Sequence, residues 1–133
     1  MCVRGASALQ RVLEEERDRG IRAFVVWEPV LWTDLGPPST RRLASVSDAR
    51  VAQYWDAKHL VSNWVTSSPW AAKEGLFTKG EKSSDKVIAW DLILLFPSGS
   101  CGSETLPEPV FHGDPVVTRI TEARDYLRAQ VRR

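Results

Sequence analysis

The chain of 133 residues has no long apolar run and no excess of either charge. No stretch reaches the roughly 18 consecutive apolar residues that a membrane span requires. No apolar signal region follows Met1 either, so we expect a cytoplasmic protein without a membrane partner. The 18 basic and 17 acidic residues nearly cancel, which argues against electrostatically driven binding of nucleic acid. This composition predicts one domain, residues 1–133, whose core needs no disulfide.

Recognisable catalytic, cofactor and metal motifs are also absent. Cys2 and Cys101 lie far apart and match no CxxC or metal-ligand spacing, so free thiols are expected in a reducing compartment. His59 and His112 have no HxH or HExxH partner, and no metal site is predicted. No GxSxG, GxGxxG or P-loop sequence occurs, which removes the obvious hydrolases and nucleotide-binding proteins, and no cofactor is expected.

Tryptophan is the residue present in surplus, with six among 133 residues. Each has a large apolar ring and an N–H group that needs an acceptor when it is buried. We therefore expect several of the six in the core and one or two at a ligand surface.

Residues 21–34, IRAFVVWEPVLWTD, are expected to organise the rest of the fold. The first half is apolar without alternation, which predicts a strand buried on both faces inside an α/β sheet. Pro29 cannot donate to a ladder, so the strand ends at Glu28. Glu28 is then at the mouth of the sheet, where open α/β folds usually bind ligands.

Residues 6–19 have the spacing of an amphipathic helix. Gly20 is predicted to stop this helix in the left-handed conformation, after Arg17 and Arg19, whose charges suit a helix end. Extended backwards, the helix places Cys2 near its N-terminus, where the helix dipole favours a thiolate. The alternative is that Cys2 is an exposed, frayed residue. The inner side of the helix is formed by Ala6, Leu9, Val12, Leu13 and Glu16.

Shorter elements follow the first strand. Ser39 is predicted to cap a helix through residue 45, and residues 50–55 to form an edge strand. Asp56 is predicted to cap a helix that turns an apolar face inward and ends before Pro69. That face consists of Leu60, Val61, Trp64 and Val65.

Residues 87–96, VIAWDLILLF, give the strongest strand signal of the chain. We predict a fully buried central strand that is interrupted by one charge, Asp91. Residues 110–112 are predicted to return as its hairpin partner. Asp114 then caps a final amphipathic helix over residues 115–131.

Three short segments resemble a group of uncharacterised bacterial thioredoxin-like proteins: VVW ending at Trp27, YWD ending at Asp56 and AWD ending at Asp91. The resemblance runs from about residue 2 to residue 96. It implies an α/β fold with a mixed sheet flanked by helices, because the predicted elements follow the thioredoxin order once a strand is added at the front. It also implies that Cys2 stands at the second cysteine of a CxxC-type motif.

The chain departs from that family in two ways. The first strand and first cysteine are missing, so the fold is truncated at its N-terminus, and Val87-Ile88 stands where the family has its active-site proline. Without a second nearby thiol no dithiol–disulfide couple can cycle. The missing strand leaves two apolar ladders that either pair with each other or are filled by a segment of this or another chain. We therefore expect a homodimer.

One end of the sheet is predicted to gather the functional side chains. A carboxylate pair and an imidazole, Glu28, Asp91 and His112, would act as acid/base groups or bind a cation. The alternative is that Asp91 only satisfies backbone or tryptophan N–H groups. The predicted ligand-binding surface consists of Trp27, Glu28, Trp32, Trp90, Asp91 and His112.

Our leading hypothesis is a non-catalytic binding or interaction protein on a thioredoxin-like scaffold that has lost its dithiol motif. Its partner would be a small molecule or a protein. One alternative is a thiol enzyme that uses Cys2 alone. Another is an acid/base enzyme that uses Glu28, Asp91 and His112, which a ligand-sized pocket between them would support.

Overall fold

The computed structural model describes residues 3–75, 88–100 and 104–130, and helices alternate with short strands along them. This content confirms the α/β class. Cys2 and Cys101 lie outside the described residues. The elements in chain order are α1 (Val3–Glu15), β1 (Ala23–Trp27), α2 (Thr40–Leu43), β2 (Val51–Trp55), α3 (Leu60–Thr66), α4 (Pro69–Lys73), β3 (Ile93–Leu95), β4 (Phe111–Gly113) and α5 (Val116–Gln130).

The strands of the described residues form two separate two-stranded sheets. β1 and β2 are parallel, and β3 and β4 form the predicted antiparallel hairpin. The expectation of one mixed sheet with residues 87–96 as a long central strand is wrong for residues 88–96, and residue 87 lies outside the described residues. Asp91 adopts a left-handed φ of 53°, which turns the chain, so that only Ile93–Leu95 after it is extended.

Helix α1 contributes to two core clusters, one beside β1 and one beside α5. Ala6 and Leu13 join Trp27 in one buried cluster, while Ala8 and Val12 join another cluster on the side of α5. Leu9 packs against both clusters. Residues three and four apart share a helix face, so the mixed stripe read from the sequence supplies two adjoining apolar faces.

Gly20 does not end α1 in the predicted left-handed conformation, because its φ is not positive. The end of α1 is capped by Arg50. Its guanidinium donates to the carbonyl groups of Leu13 and Glu16, which a helix end otherwise leaves without partners. Asp48 accepts from the same guanidinium at 2.8 and 2.9 Å. These hydrogen bonds from Arg50 lower the pKa of Asp48 to about 2.

The first and last helices are joined by charged side chains. The buried Glu16 carboxylate accepts from Arg128 at 2.5 Å and also from Arg19. Burial raises the pKa of Glu16, but the hydrogen bonds from Arg128 and Arg19 outweigh it and hold the pKa below the ordinary 4.5. Arg124 pairs with Glu15 at 2.9 Å. The C-terminal ends of α1 and α5 are thus held side by side.

Helix α3 buries only part of the face predicted for it. Leu60 is 63% exposed and Val61 is 36% exposed, whereas Ser62 and Val65 are the buried residues. Only seven residues long, α3 has one inward stripe, and that stripe includes a serine that binds other parts of the chain. The third core cluster, beneath β3, contains Val65, Trp70, Ala71 and Leu106.

Two further observations concern the helices. Ser39 stands at the N-cap position of α2, but its side chain makes no capping hydrogen bond. No helix among the described residues is long and apolar enough to cross a membrane.

Candidate functional site

Glu28, directly after β1, is the centre of a polar cluster. Its carboxylate accepts hydrogen bonds from the Ser62 backbone N–H at 3.1 Å and from the Ser62 hydroxyl at 2.5 Å. His59 Nδ1 lies 3.2 Å from the same carboxylate. An ionised carboxylate can only accept, so Nδ1 of His59 carries the proton and donates it. The cluster fastens the end of β1 to the start of α3.

Ser62 connects this cluster to the segment that precedes β3. Its side chain is 1% exposed, and its oxygen accepts the backbone N–H of Ala89 at 3.0 Å. Ala89 begins the AWD segment, so Glu28 and the residues before Trp90 are held together through one serine.

Asp56 provides the second anchor of α3. Its carboxylate accepts from the backbone N–H groups of Lys58 at 3.2 Å and Val61 at 2.8 Å. His59 stands at the N-cap position with a left-handed φ of 57° and makes no side-chain cap. The predicted N-cap position of Asp56 is therefore wrong, because His59 occupies it and the helix begins at Leu60, but the Asp56 carboxylate still accepts an N–H group of the first turn.

Asp91 lies between the starts of α1 and α5. Its carbonyl accepts the Val116 N–H at 3.0 Å. A Cβ atom placed on Gly5 would stand 3.0 Å from the Asp91 carboxylate, so the small residue permits this close approach. Helix α1 begins at Val3, which puts Cys2 next to its first residue in the chain. The thiol chemistry of Cys2 remains a prediction.

His112 lies in β4, opposite Leu94, and its ring centre is 5.8 Å from that of Trp70. It contributes to an open cleft of about 340 Å³. The cleft is lined by Trp70, Glu74, Glu108, Pro109, Val110, Phe111, His112 and Arg119. Neither Glu28 nor Asp91 lines this cleft, so the ligand-sized pocket expected between the three groups is not found there.

The predicted acid/base group therefore does not assemble as one site. Glu28 follows a strand of one sheet and His112 lies in the other, and the imidazole beside Glu28 is that of His59. A signal for this pairing exists in the sequence. Parallel strands end at the same edge of a sheet, and His59 follows the end of β2 as Glu28 follows β1.

The predicted tryptophan surface is also divided. Trp27 is 4% exposed, and its Nε1 donates to the Gln53 side chain at 2.9 Å, so it is a core residue. Trp32 and Trp90 are exposed, Trp32 to 90%. Trp70, which the sequence did not single out, is buried against the cleft, and its Nε1 has no acceptor among the described residues.

An apolar surface lies on the side of the β1–β2 sheet that faces away from α1. Phe24 is 62% exposed and Tyr54 is 55% exposed, with ring centres 6.4 Å apart. Leu60 and Val61 are also exposed, at the start of α3, which follows β2 in the chain. We call Phe24 and Tyr54 the aromatic face. It overturns the prediction that β1 is buried on both faces.

Within residues 3–75, 88–100 and 104–130, no group of three or more histidine, aspartate or glutamate side chains could hold a metal ion. Comparisons with family models, curated proteins and solved structures give no match to this chain.

Proposed function

We propose that the protein is a non-catalytic interaction protein on a thioredoxin-like scaffold, and that it acts as a homodimer. The aromatic face is the observation that supports this proposal. Large apolar side chains that stay exposed together mark interaction surfaces in soluble proteins. Burial of one such side chain stabilises an interface by about 1.5–3 kcal/mol.

The order of elements supports the scaffold. After α1 come β1, the helices α2 to α4 with β2 between them, the β3–β4 hairpin and α5. The antiparallel pairing of β3 with β4 is the hairpin that the sequence predicted, and it also agrees with a thioredoxin-like order of elements.

The polar cluster supports an anchoring role for Glu28. Each of its carboxylate oxygens accepts a hydrogen bond from the first turn of α3 or from the residue before it. These bonds hold the helix start against β1, and Ser62 extends the contact to Ala89. The cluster thus positions the elements that border the aromatic face.

Light scattering of surface variants tests the dimer. Phe24→Ser and Tyr54→Ser should each weaken dimerisation about tenfold or more, because each removes an apolar side chain that the interface would bury. The matched control is Leu35→Ser, since Leu35 is 92% exposed but lies in the loop after β1. Equal weakening by all three variants, or a wild-type mass of 15.0 kDa at every concentration, would contradict the proposal.

A further inference from the structure

Strand β1 has one edge that pairs with no other strand of the described residues. The Ala23 N–H donates to the Arg50 carbonyl, and the Trp27 carbonyl accepts the Asp56 N–H, so the odd-numbered residues of β1 face β2. Backbone groups alternate in direction along a strand. Phe24 and Val26 therefore turn their N–H and C=O groups away from β2, and no described residue bonds to them.

The hairpin lies beside this edge without pairing to it. Leu9 of α1 packs against the cluster that contains β1 and also against Ile93 of β3. On the other face, Ser62 of α3 binds both Glu28, after β1, and Ala89, before β3. One helix above and one below thus hold β1 and β3 in neighbouring positions, while β3 pairs with β4 alone in the described chain.

The space between β1 and β3, which we call the slot, is bordered by apolar side chains that are only partly buried. Val25 and Val26 of β1 and all three residues of β3 are in this class, and so is Leu9 above them. Central strands of α/β sheets normally bury such residues on both faces. Their partial exposure marks a layer that is incomplete between α1 and α3.

We propose that the slot binds an extended, apolar segment of a partner protein, which adds a strand beside β1. Only an extended backbone matches donors and acceptors repeated at every second residue of an edge. The segment is apolar because Leu9 borders one of its faces and α3 the other. The β1 strand of a second copy would fit less well, because the β2 strand paired to its other edge would collide with β3 of the first copy. A single strand without such a neighbour fits better.

This inference rests on the proposed interaction function and names the kind of partner that one surface takes. The probe is a synthetic peptide with about five valine, isoleucine and threonine residues between terminal lysines, the length of β1. Amide hydrogen exchange should show that Phe24 and Val26 become protected when the peptide is added. The same peptide, N-methylated on the alternate residues whose N–H groups would face β1, cannot donate to the Phe24 and Val26 carbonyl groups. It should therefore not bind, and it should not protect the two amides.

Val26→Pro tests the edge from the side of the protein. The Val26 N–H does not pair with β2, so proline removes an edge donor and leaves the β1–β2 ladder intact. Val26→Thr is the matched control, because it changes the side chain and keeps the N–H. We expect Val26→Pro to bind the peptide about tenfold more weakly than Val26→Thr does.

The outcomes separate the slot from the dimer. Equal peptide binding by the two variants, or no protection of Phe24 and Val26 with the unmodified peptide, would overturn the slot. If Val26→Pro does not fold by circular dichroism, the N-methylated peptide on the wild-type protein decides the question. A dimer that Phe24→Ser disrupts, in a protein that does not bind the peptide, leaves the proposed function standing and removes only this inference.

Discussion

Arg50 joins three parts of the chain through one guanidinium group. Besides its bonds to α1, it donates to the Arg19 carbonyl at 3.3 Å and pairs with Asp48. A lysine cannot present this fork of donors. We expect Arg50→Lys to lower the melting temperature by roughly 5 °C, measured by circular dichroism. Arg22→Lys, at an exposed position in the same region, is the control, and an equal shift in both would contradict the capping role.

Glu28 is the second residue on which local structure depends. We expect Glu28→Gln to reduce the free energy of unfolding by about 1–3 kcal/mol, because the amide turns a donor towards His59 or Ser62, which also donate. Chemical denaturation measures the loss. Glu74→Gln, at an exposed site on α4's end, should change the free energy little. If the two variants unfold alike, the polar cluster does not anchor α3.

At the scale of elements, β1 is a strand with two different edges. Val25 pairs with β2, whereas Phe24 and Val26 turn their amides to the open side. Hydrogen exchange of the dilute protein should therefore alternate along the strand, with slow exchange at Val25 and fast exchange at its two neighbours. Uniform protection of the three amides would show that the open edge is covered.

The contact between α1 and α5 should depend on pH. The pKa of Glu16 is below 4.5 in the folded state, so its stabilising contribution is present above pH 4.5 and is lost as the pH falls through the lowered value. We expect Arg128→Met to flatten this acid dependence, because it removes the first hydrogen bond that lowers the pKa. Arg11→Met, on an exposed part of α1, is the control for urea unfolding between pH 3 and pH 6.

Asp48 acts in the same direction at lower pH. Its pKa falls from 3.8 to about 2 in the folded state through the hydrogen bonds of Arg50. Its contribution is therefore complete above pH 3.8 and disappears as the pH approaches 2. Asp48→Asn should lose stability at neutral pH and show a shallower fall in this range, which urea unfolding between about pH 2 and pH 5 measures. An unchanged acid profile in Asp48→Asn would show that this pair does not contribute.

Local patterns predicted several elements because their causes are local. The apolar run predicted β1, the alternation predicted β2, and the amphipathic spacing predicted α1 and α5. The prediction of a long strand over residues 87–96 was wrong because Asp91 takes a left-handed conformation beside Gly5. This contact joins distant parts of the chain, so the local pattern does not contain it. The prediction of which α3 residues face inward was partly wrong for a similar reason. The contacts of Ser62 with Glu28 and Ala89 set the rotation of the helix.

The candidate site was only partly predictable for the same reason. Glu28 was identified because Pro29 marks the end of its strand, but its partner depended on pairing between β1 and β2. That parallel pairing brings His59 to Glu28, whereas His112 is carried to Trp70 by the hairpin. Sequence spacing alone does not contain these tertiary contacts.

At the scale of the whole molecule, the three core clusters are connected through α1 and through the β3–β4 hairpin. Apolar surface remains exposed between and beside these clusters. The aromatic face leaves Phe24 and Tyr54 in solvent, and the slot leaves β1 and β3 without a common partner. Both features give the protein surface to bury against another chain. We therefore expect the protein to bury this exposed apolar surface by associating with another chain.

Sedimentation equilibrium across a hundredfold range of concentration tests this central claim most directly. We expect the average mass to rise from 15.0 kDa towards twice that value as the protein is concentrated, and to do so at lower concentration for the wild type than for Phe24→Ser. A single species of 15.0 kDa that persists over the whole range would contradict the homodimer.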